Sequence, residues 1–216
     1  MTEMSPIGTV NSYRPDGEEP KEETWRKRTL QGRAVFGVDM KIVDEQDREL
    51  PWDGVSTGEL KVRGPWICSA YFRLDESAAH DVEGWFATGD VAAIGADGYL
   101  HITDRAKDVI KSGGEWISSV DLENCACGHP DVLMAAAIGV RHPKWEERPL
   151  LIVVPRQGRT PERDSLLAHL AQHFAKWQLP DDVVLADGIP LTATGKIDKK
   201  RLREQYRDHL MQSASG

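Results

Sequence analysis

What most constrains the fold of this chain is a change of pattern close to Arg105. Ahead of it, apolar and β-branched runs at residues 34–43 and 58–62 are set apart by polar stretches, and the turn Gly95-Ala96-Asp97-Gly98 leads into Tyr99-Leu100-His101-Ile102. Short runs of this kind, bounded by Gly and Asp, read as strands. Beyond Arg105, helix-like segments at 119–127 and 163–175 alternate with strand-like ones at 133–140, 150–154 and 183–186. A terminal helix follows, with Leu202, Tyr206 and Leu210 at helical spacing. This order predicts an α+β chain: a β-rich subdomain over residues 1–104, then a small α/β domain with a mixed sheet over 105–216. About 110 residues is an ordinary size for a domain that folds alone. Residues 12–28 are polar, proline-bearing and mixed in charge, which is the composition of a surface loop, and no internal repeat is apparent.

Composition narrows the class of molecule. With 40% hydrophobic and 29% charged residues there is enough apolar material for a core, and no apolar run approaches the roughly 20 residues of a membrane span. No basic-then-apolar leader opens the chain, and three cysteines cannot pair completely. A cytosolic protein without disulfides is expected. The net charge of −8 argues against a dedicated nucleic-acid binder, although Lys196, Lys199, Lys200, Arg201 and Arg203 form a local basic cluster, read most simply as the solvated face of the terminal helix. Two groups of metal-ligating residue types read as ordinary side chains. Cys125-x-Cys127-x-His129 has the wrong cysteine spacing for zinc, and His169 and His173 lie four apart on a helix without the glutamate of a zinc protease.

Chemistry concentrates in four ordered segments. Near the end, Pro190-Leu191-Thr192-Ala193-Thr194-Gly195-Lys196-Ile197-Asp198-Lys199-Lys200 places Lys196 just past a Thr-Gly turn, where a mobile cation can reach a phosphate or carboxylate in a neighbouring cleft. A solvated lysine at a helix start is the plain alternative. A P-loop is excluded, because the six residues between Gly188 and Gly195 are too many and Ile197 stands where a Ser or Thr should hold magnesium. Upstream lie Gly58-Glu59-Leu60-Lys61-Val62-Arg63-Gly64, then Gly84-Trp85-Phe86-Ala87-Thr88-Gly89-Asp90, then the run from Asp104-Arg105-Ala106-Lys107 through Lys111-Ser112-Gly113-Gly114-Glu115-Trp116-Ile117.

In this order and spacing the segments resemble the later core motifs of the acyl-adenylate-forming superfamily, which includes acyl-CoA synthetases, luciferases and the adenylation domains of peptide synthetases. The stretches 110–118 and 174–180 are most similar to medium- and long-chain fatty-acyl-CoA synthetases. The resemblance implies a fatty-acid CoA ligase: a carboxylate attacks ATP to give an acyl-adenylate, and the thiol of coenzyme A then displaces AMP. It implies ATP, magnesium, coenzyme A and a fatty acid as small-molecule partners. By the same resemblance, Lys196 is the catalytic cation of the first step, and Asp90 accepts hydrogen bonds from the ribose hydroxyls. Arg105 binds ribose or phosphate, and Lys107 is the hinge, at a position where many members carry Asp. Gly113 and Gly114 let the pantetheine arm of coenzyme A pass close to the backbone, and Lys111 and Trp116 lie by the adenine or phosphates. Each has a bland counterpart: a turn-capping Asp90, an Arg105 salt bridge to Asp104 or Asp108, a simple turn at the paired glycines, and Trp116 as a core anchor.

The opening Met1-Thr2-Glu3-Met4-Ser5-Pro6 resembles the second half of a further family motif, in which Thr2 would contact phosphate and Glu3 would bind magnesium. Because no Ser/Thr/Gly-rich phosphate loop occurs in the chain, the expectation is the C-terminal part of a longer enzyme, with residues 1–104 a remnant of the large AMP-binding domain and 105–216 its mobile C-terminal domain. In such a remnant, strands that pack on upstream partners should leave apolar surface exposed. Two alternatives stay open: a non-catalytic fragment that binds nucleotide or a partner protein, and an adenylating enzyme with an acceptor other than coenzyme A. Oligomeric state is open too, a homodimer of the longer protein included.

Overall fold

The structure, a computed structural model, describes residues 1–15, 20–72 and 80–213. The chain divides into two compact units, Met1–Ala106 and Lys107–Gly216.

The first unit opens with a 3-10 turn, Thr2–Met4, and contains β1 (Thr9–Val10), α1 (Lys21–Thr29), β2 (Arg33–Ala34), β3 (Asp39–Val43), β4 (Gly58–Arg63), β5 (Phe86–Ile94) and β6 (Leu100–Arg105). Strands β3 to β6 form one antiparallel sheet in chain order, and β1 pairs with β2. Alternate residues of the sheet, among them Met40, Ile42, Leu60, Val62, Phe86 and Ile94, build its core, as period-two patterning requires. Two expectations are corrected here. The run at 34–43 is two strands and not one, because Gly37 takes a φ of +82° and turns the chain where a Cβ would come within 2.9 Å of the Trp66 ring. The segment 12–28 is not all loop: α1 occupies its second half, with Glu22 and Glu23 in the first turn, Arg26 to Arg28 in the last, and a Glu23–Arg26 ion pair at 2.7 Å. Residues 16–19 of that segment lie outside the described residues. Phe36 (96% exposed) and Phe72 (88%) leave apolar surface on this unit.

The second unit contains β7 (Ile110–Ser112), β8 (Glu115–Ile117), α2 (Ser119–Cys127), β9 (Val132–His142), β10 (Glu146–Pro155), α3 (Arg163–Leu170), β11 (Asp182–Leu185), α4 (Lys199–Tyr206) and α5 (His209–Ser213). The sheet runs β11-β10-β7-β8, with β9 also on β10; β10 is parallel to β11 and antiparallel to β9 and β7, so the sheet is mixed. Its centre is apolar on both faces, which is why β9 and β10 read as nearly unbroken hydrophobic runs. Ala135, Ala137, Leu151 and Val153 face α2 and α3, while Ala136, Ile138, Leu150 and Ile152 face Leu202 and Leu210. Ser118 caps α2 by accepting from the Asp121 amide at 3.1 Å. The helix expected over 163–175 stops at Leu170, because Phe174 turns back to pack on the same core as Leu166 and Leu170. His173 therefore lies beyond the helix. The terminal helix is broken after Tyr206, where the Arg207 carbonyl accepts from the Arg141 amide at 3.3 Å. Leu202 and Leu210 still share one core across the break.

Candidate functional site

Within the first unit, the Thr88-Gly89-Asp90 motif sits inside β5. The Thr88 hydroxyl donates to the Leu60 carbonyl at 2.9 Å and accepts from the Asp90 amide at 3.1 Å. Gly89 holds a φ of +72°, which favours glycine, and its carbonyl accepts from the Ala106 amide at 3.0 Å. These bonds aim Asp90 at its cross-strand partner Arg105, whose Nε lies 3.0 Å from Oδ1. The carboxylate side chain is 15% exposed and the guanidinium 59%. Burial pushes the Asp90 carboxyl above its ordinary range, against the opposing pull of Arg105. Asp90 and Thr88 line a cavity of about 260 Å³ whose remaining wall is largely apolar, including Met4, Met40, Leu60 and Ile102.

Thr2 and Glu3 lie on the opening 3-10 turn, and the residues flanking them, Met1 and Met4, line the same cavity. Thr2 is exposed. Glu3 is half-buried and accepts from the Tyr71 hydroxyl at 3.2 Å, while its carbonyl accepts from the Cys68 amide at 2.8 Å. Glu3 thus offers one oriented carboxylate; among the described residues no group of three His, Cys, Asp or Glu could hold a metal ion by itself. The salt bridge anticipated from Arg105 to Asp104 or Asp108 is replaced. Arg105 pairs with Asp90 across the strands, whereas Asp108 pairs with Arg203 at 2.9 Å.

Within the second unit, Lys107 is exposed in the turn that opens it. Strands β7 and β8 form a hairpin whose two turn residues, Gly113 and Gly114, have φ of 62° and 88°. A two-residue turn with both φ positive matches the twist of the strands and calls for glycine at both places. Lys111 and Trp116 are cross-strand partners, the ammonium 5.4 Å from the indole centroid. Trp116 is half-buried, so it is not a core anchor.

Beside the hairpin runs a mostly apolar groove of about 600 Å³, walled by Trp145 and Trp177, which sequence reading did not single out. The Trp145 carbonyl accepts from the Gly113 amide at 3.1 Å, and a Cβ on Gly113 would stand 2.9 Å from the indole. The floor is Arg148, 8% exposed, whose guanidinium donates to the Ser112 hydroxyl (3.0 Å), the Asp181 carboxylate (2.8 Å) and the carbonyls of Trp177 (2.6 Å) and Leu179 (2.9 Å). The available signal was two tryptophans in connecting segments, each more than 40% exposed in the structure.

Lys196 lies exposed on the loop between Leu191 and Ile197. The Thr192 amide donates to the Lys196 carbonyl at 2.7 Å, the Lys196 amide to the Thr192 hydroxyl at 3.2 Å, and Gly195 holds a φ of +79°. The backbone carrying the ammonium is therefore closed on itself. The basic cluster is not a single solvated face, because Lys199 is buried.

Two family models match, described as AMP-binding enzyme over residues 1–72 and AMP-binding enzyme C-terminal domain over residues 121–196. The chain belongs to the acyl-adenylate-forming superfamily. Among its relatives within that superfamily, a 3-methylmercaptopropionyl-CoA ligase of Ruegeria lacuscaerulensis is 52% identical over 97% of this chain and 39% of its own length. A medium-chain-fatty-acid–CoA ligase of Ectopseudomonas oleovorans is 45% identical over 100% of this chain and 39% of its own. The ATP-bound crystal structure of MatB from Rhodopseudomonas palustris superposes with a TM-score of 0.78 at 30% identity, covering 96% of this chain and 40% of that one. The chain thus spans about two fifths of the length of these superfamily members. No helix among the described residues is long and apolar enough to cross a membrane.

Proposed function

We propose that this chain is the nucleotide-closing and thioester-forming part of an acyl-CoA ligase that joins a medium- to long-chain fatty acid to coenzyme A through an acyl-adenylate. The observation that carries the reading is Asp90: a carboxylate turned by its own motif to the edge of an apolar cavity, steadied by Arg105 and raised in pKa by burial. Such a group can accept hydrogen bonds from both hydroxyls of a ribose, and its partner guanidinium suits a phosphate.

In the first half-reaction a carboxylate oxygen of the acid bonds to the α-phosphorus of ATP as the bond to pyrophosphate breaks. Lys196 supplies positive charge to the crowded oxygens, and Thr2 contributes a hydroxyl to phosphate. Glu3, a single carboxylate held by Tyr71, fits a magnesium ion that keeps most of its ligands from water and phosphate. That ion would offset phosphate charge when bound. In the second half-reaction the thiol of coenzyme A attacks the acyl carbon and AMP leaves. Rotation at Lys107 withdraws Lys196 and presents Gly113 and Gly114, whose lack of side chains clears a path for pantetheine. The Trp145 and Trp177 indoles suit the adenine of coenzyme A, and Lys111 and Trp116, the neighbouring cross-strand pair of the hairpin, are read as contacts to nucleotide. The names of the relatives support a CoA acceptor over other acceptors, and they leave the acyl group open between a short thioether acid and longer fatty acids.

The test is formation of acyl-adenylate and acyl-CoA from ATP, magnesium, coenzyme A and either octanoate or 3-methylmercaptopropionate, beside the Lys196→Ala variant. Loss of a preorganised cation should slow adenylation roughly 100- to 1,000-fold while leaving thioester formation from a supplied acyl-adenylate intact. Equal loss of both half-reactions would overturn the assignment of Lys196. Nucleotide binding without product would favour the alternative of a binding fragment.

A further inference from the structure

Lys199 is the first residue of α4 and is 9% exposed, whereas its neighbours Lys200 and Arg201 are solvated. Its ammonium lies 2.8 Å from Glu123 Oε1 and donates to the Ser119 hydroxyl at 2.6 Å. Glu123 and Ser119 stand one turn apart on α2, and Glu123 Oε1 also accepts from the Ala137 amide of β9 at 2.9 Å. The first turn of α4 is therefore nailed to both α2 and the central sheet. Withdrawing two charges from water costs several kcal/mol before their attraction returns it, so a buried pair is poor evidence of added stability and better evidence of a fixed geometry. Here the geometry fixed is that of the loop carrying Lys196. Its start and end are joined by the Leu191–Ile197 bridge and by the Asp198 amide donating to the Pro190 carbonyl at 2.9 Å. Asp198 caps α4 by accepting from the Arg201 amide at 3.1 Å. That closed loop has no side chain of its own sunk between Leu191 and Lys196, all of which are exposed. Its exit is held twice, by Ile197, which packs on the core of Leu202 and Leu210, and by the buried polar clasp of Lys199 one residue past the cap.

We propose that Lys199 is a positioning residue for Lys196: its ammonium, clasped by Glu123 and Ser119, sets where the loop leaves the domain and so where the catalytic cation is presented. The proposal rests on the role given to Lys196 above. It goes beyond it in making the buried lysine of the motif, which touches no substrate, a determinant of the first half-reaction.

Two variants test it, Lys199→Met and the double variant Lys199→Met with Glu123→Gln, which leaves no unpaired buried carboxylate. Amide hydrogen exchange of the 216-residue chain is followed at Gly195, Lys196 and Asp198 and, as an internal standard, at residues 150–154. The clasp predicts loop amides exchanging about tenfold faster in both variants with the strand amides unchanged. Acyl-adenylate formation from octanoate and ATP should fall roughly 100-fold, as for a catalytic group displaced by about 1 Å, with thioester formation from supplied octanoyl-adenylate preserved. Unchanged loop protection in the double variant overturns the proposal. So does acceleration of loop and strand amides together, since that reports a merely structural lysine. Should the single variant unfold, the double variant decides. Lys196→Ala is the control that separates the two ideas: if it leaves adenylation intact, the role of Lys196 fails whatever the exchange data show. If it abolishes adenylation while the Lys199 variants do not touch it, only the clasp fails.

Discussion

Asp90 keeps a carboxylate at the edge of an apolar cavity, and the local fold bears a cost for it. Burial raises its pKa above the ordinary value of 3.8 despite the cation of Arg105. A carboxyl whose folded pKa is raised contributes its stability below the unfolded value and loses it as pH rises through the folded one. Asp90→Asn is therefore expected to raise the thermal midpoint of the chain at pH 7. The gain should shrink as pH falls toward 4, as scanning calorimetry across that window would show. The same variant should bind AMP more weakly in titration calorimetry, because one acceptor for the ribose hydroxyls has become a donor. A variant less stable at pH 7 than the parent would mean that Arg105 outweighs burial. Stability surrendered at this carboxylate is what the ribose contact proposed for Asp90 would account for.

At the scale of elements, the β7–β8 hairpin separates two reasons for a glycine. Both turn residues need positive φ, yet only Gly113 lies under an indole: a Cβ there would meet Trp145 at 2.9 Å, whereas nothing lies within 4 Å of one on Gly114. Gly114→Ala should cost about 1–2 kcal/mol from backbone strain alone. Gly113→Ala should cost about 1–3 kcal/mol more, because Trp145 has to move. Urea unfolding measures both, and coenzyme A binding, followed by titration, should be weakened by either variant, since each puts a methyl group in the proposed pantetheine path. Equal costs would show that the indole yields freely and that the groove is not preorganised by it. Element types in the second unit were legible because β9 and β10 carry unbroken apolar runs and the segments flanking them carry helix-like patterns. Element ends were not: α3 stops at Leu170 because Phe174 turns to a core that no local pattern announces. Helix α1 was hidden by composition, being held by charge order and carrying no apolar face.

For the whole molecule, the division falls between Ala106 and Lys107, and Lys107 is exposed in a turn. Proline at 107 would fix φ there and restrict Ala106, whose amide is already bound to Gly89. Lys107→Pro should therefore slow thioester formation at least about tenfold more than adenylation, if rotation at this residue separates the half-reactions. Stopped-flow measurement of both steps tests this, and an unaffected second step would count against the hinge. By itself the sequence determined the change from a β-rich to an alternating α/β half, the family, and the motif positions Asp90, Arg105, Gly113, Gly114 and Lys196, because turn glycines, alternating apolar residues and motif spacing are properties of neighbours along the chain. Only the tertiary structure decided that Arg105 pairs with Asp90, that Trp145 and Trp177 wall one groove over Arg148, and that Lys199 leaves its basic cluster to be buried against Glu123. Those partners lie from 15 to 76 residues apart, and what selects them is the burial of both faces of a sheet, which brings distant side chains into a medium where each polar group must find a partner.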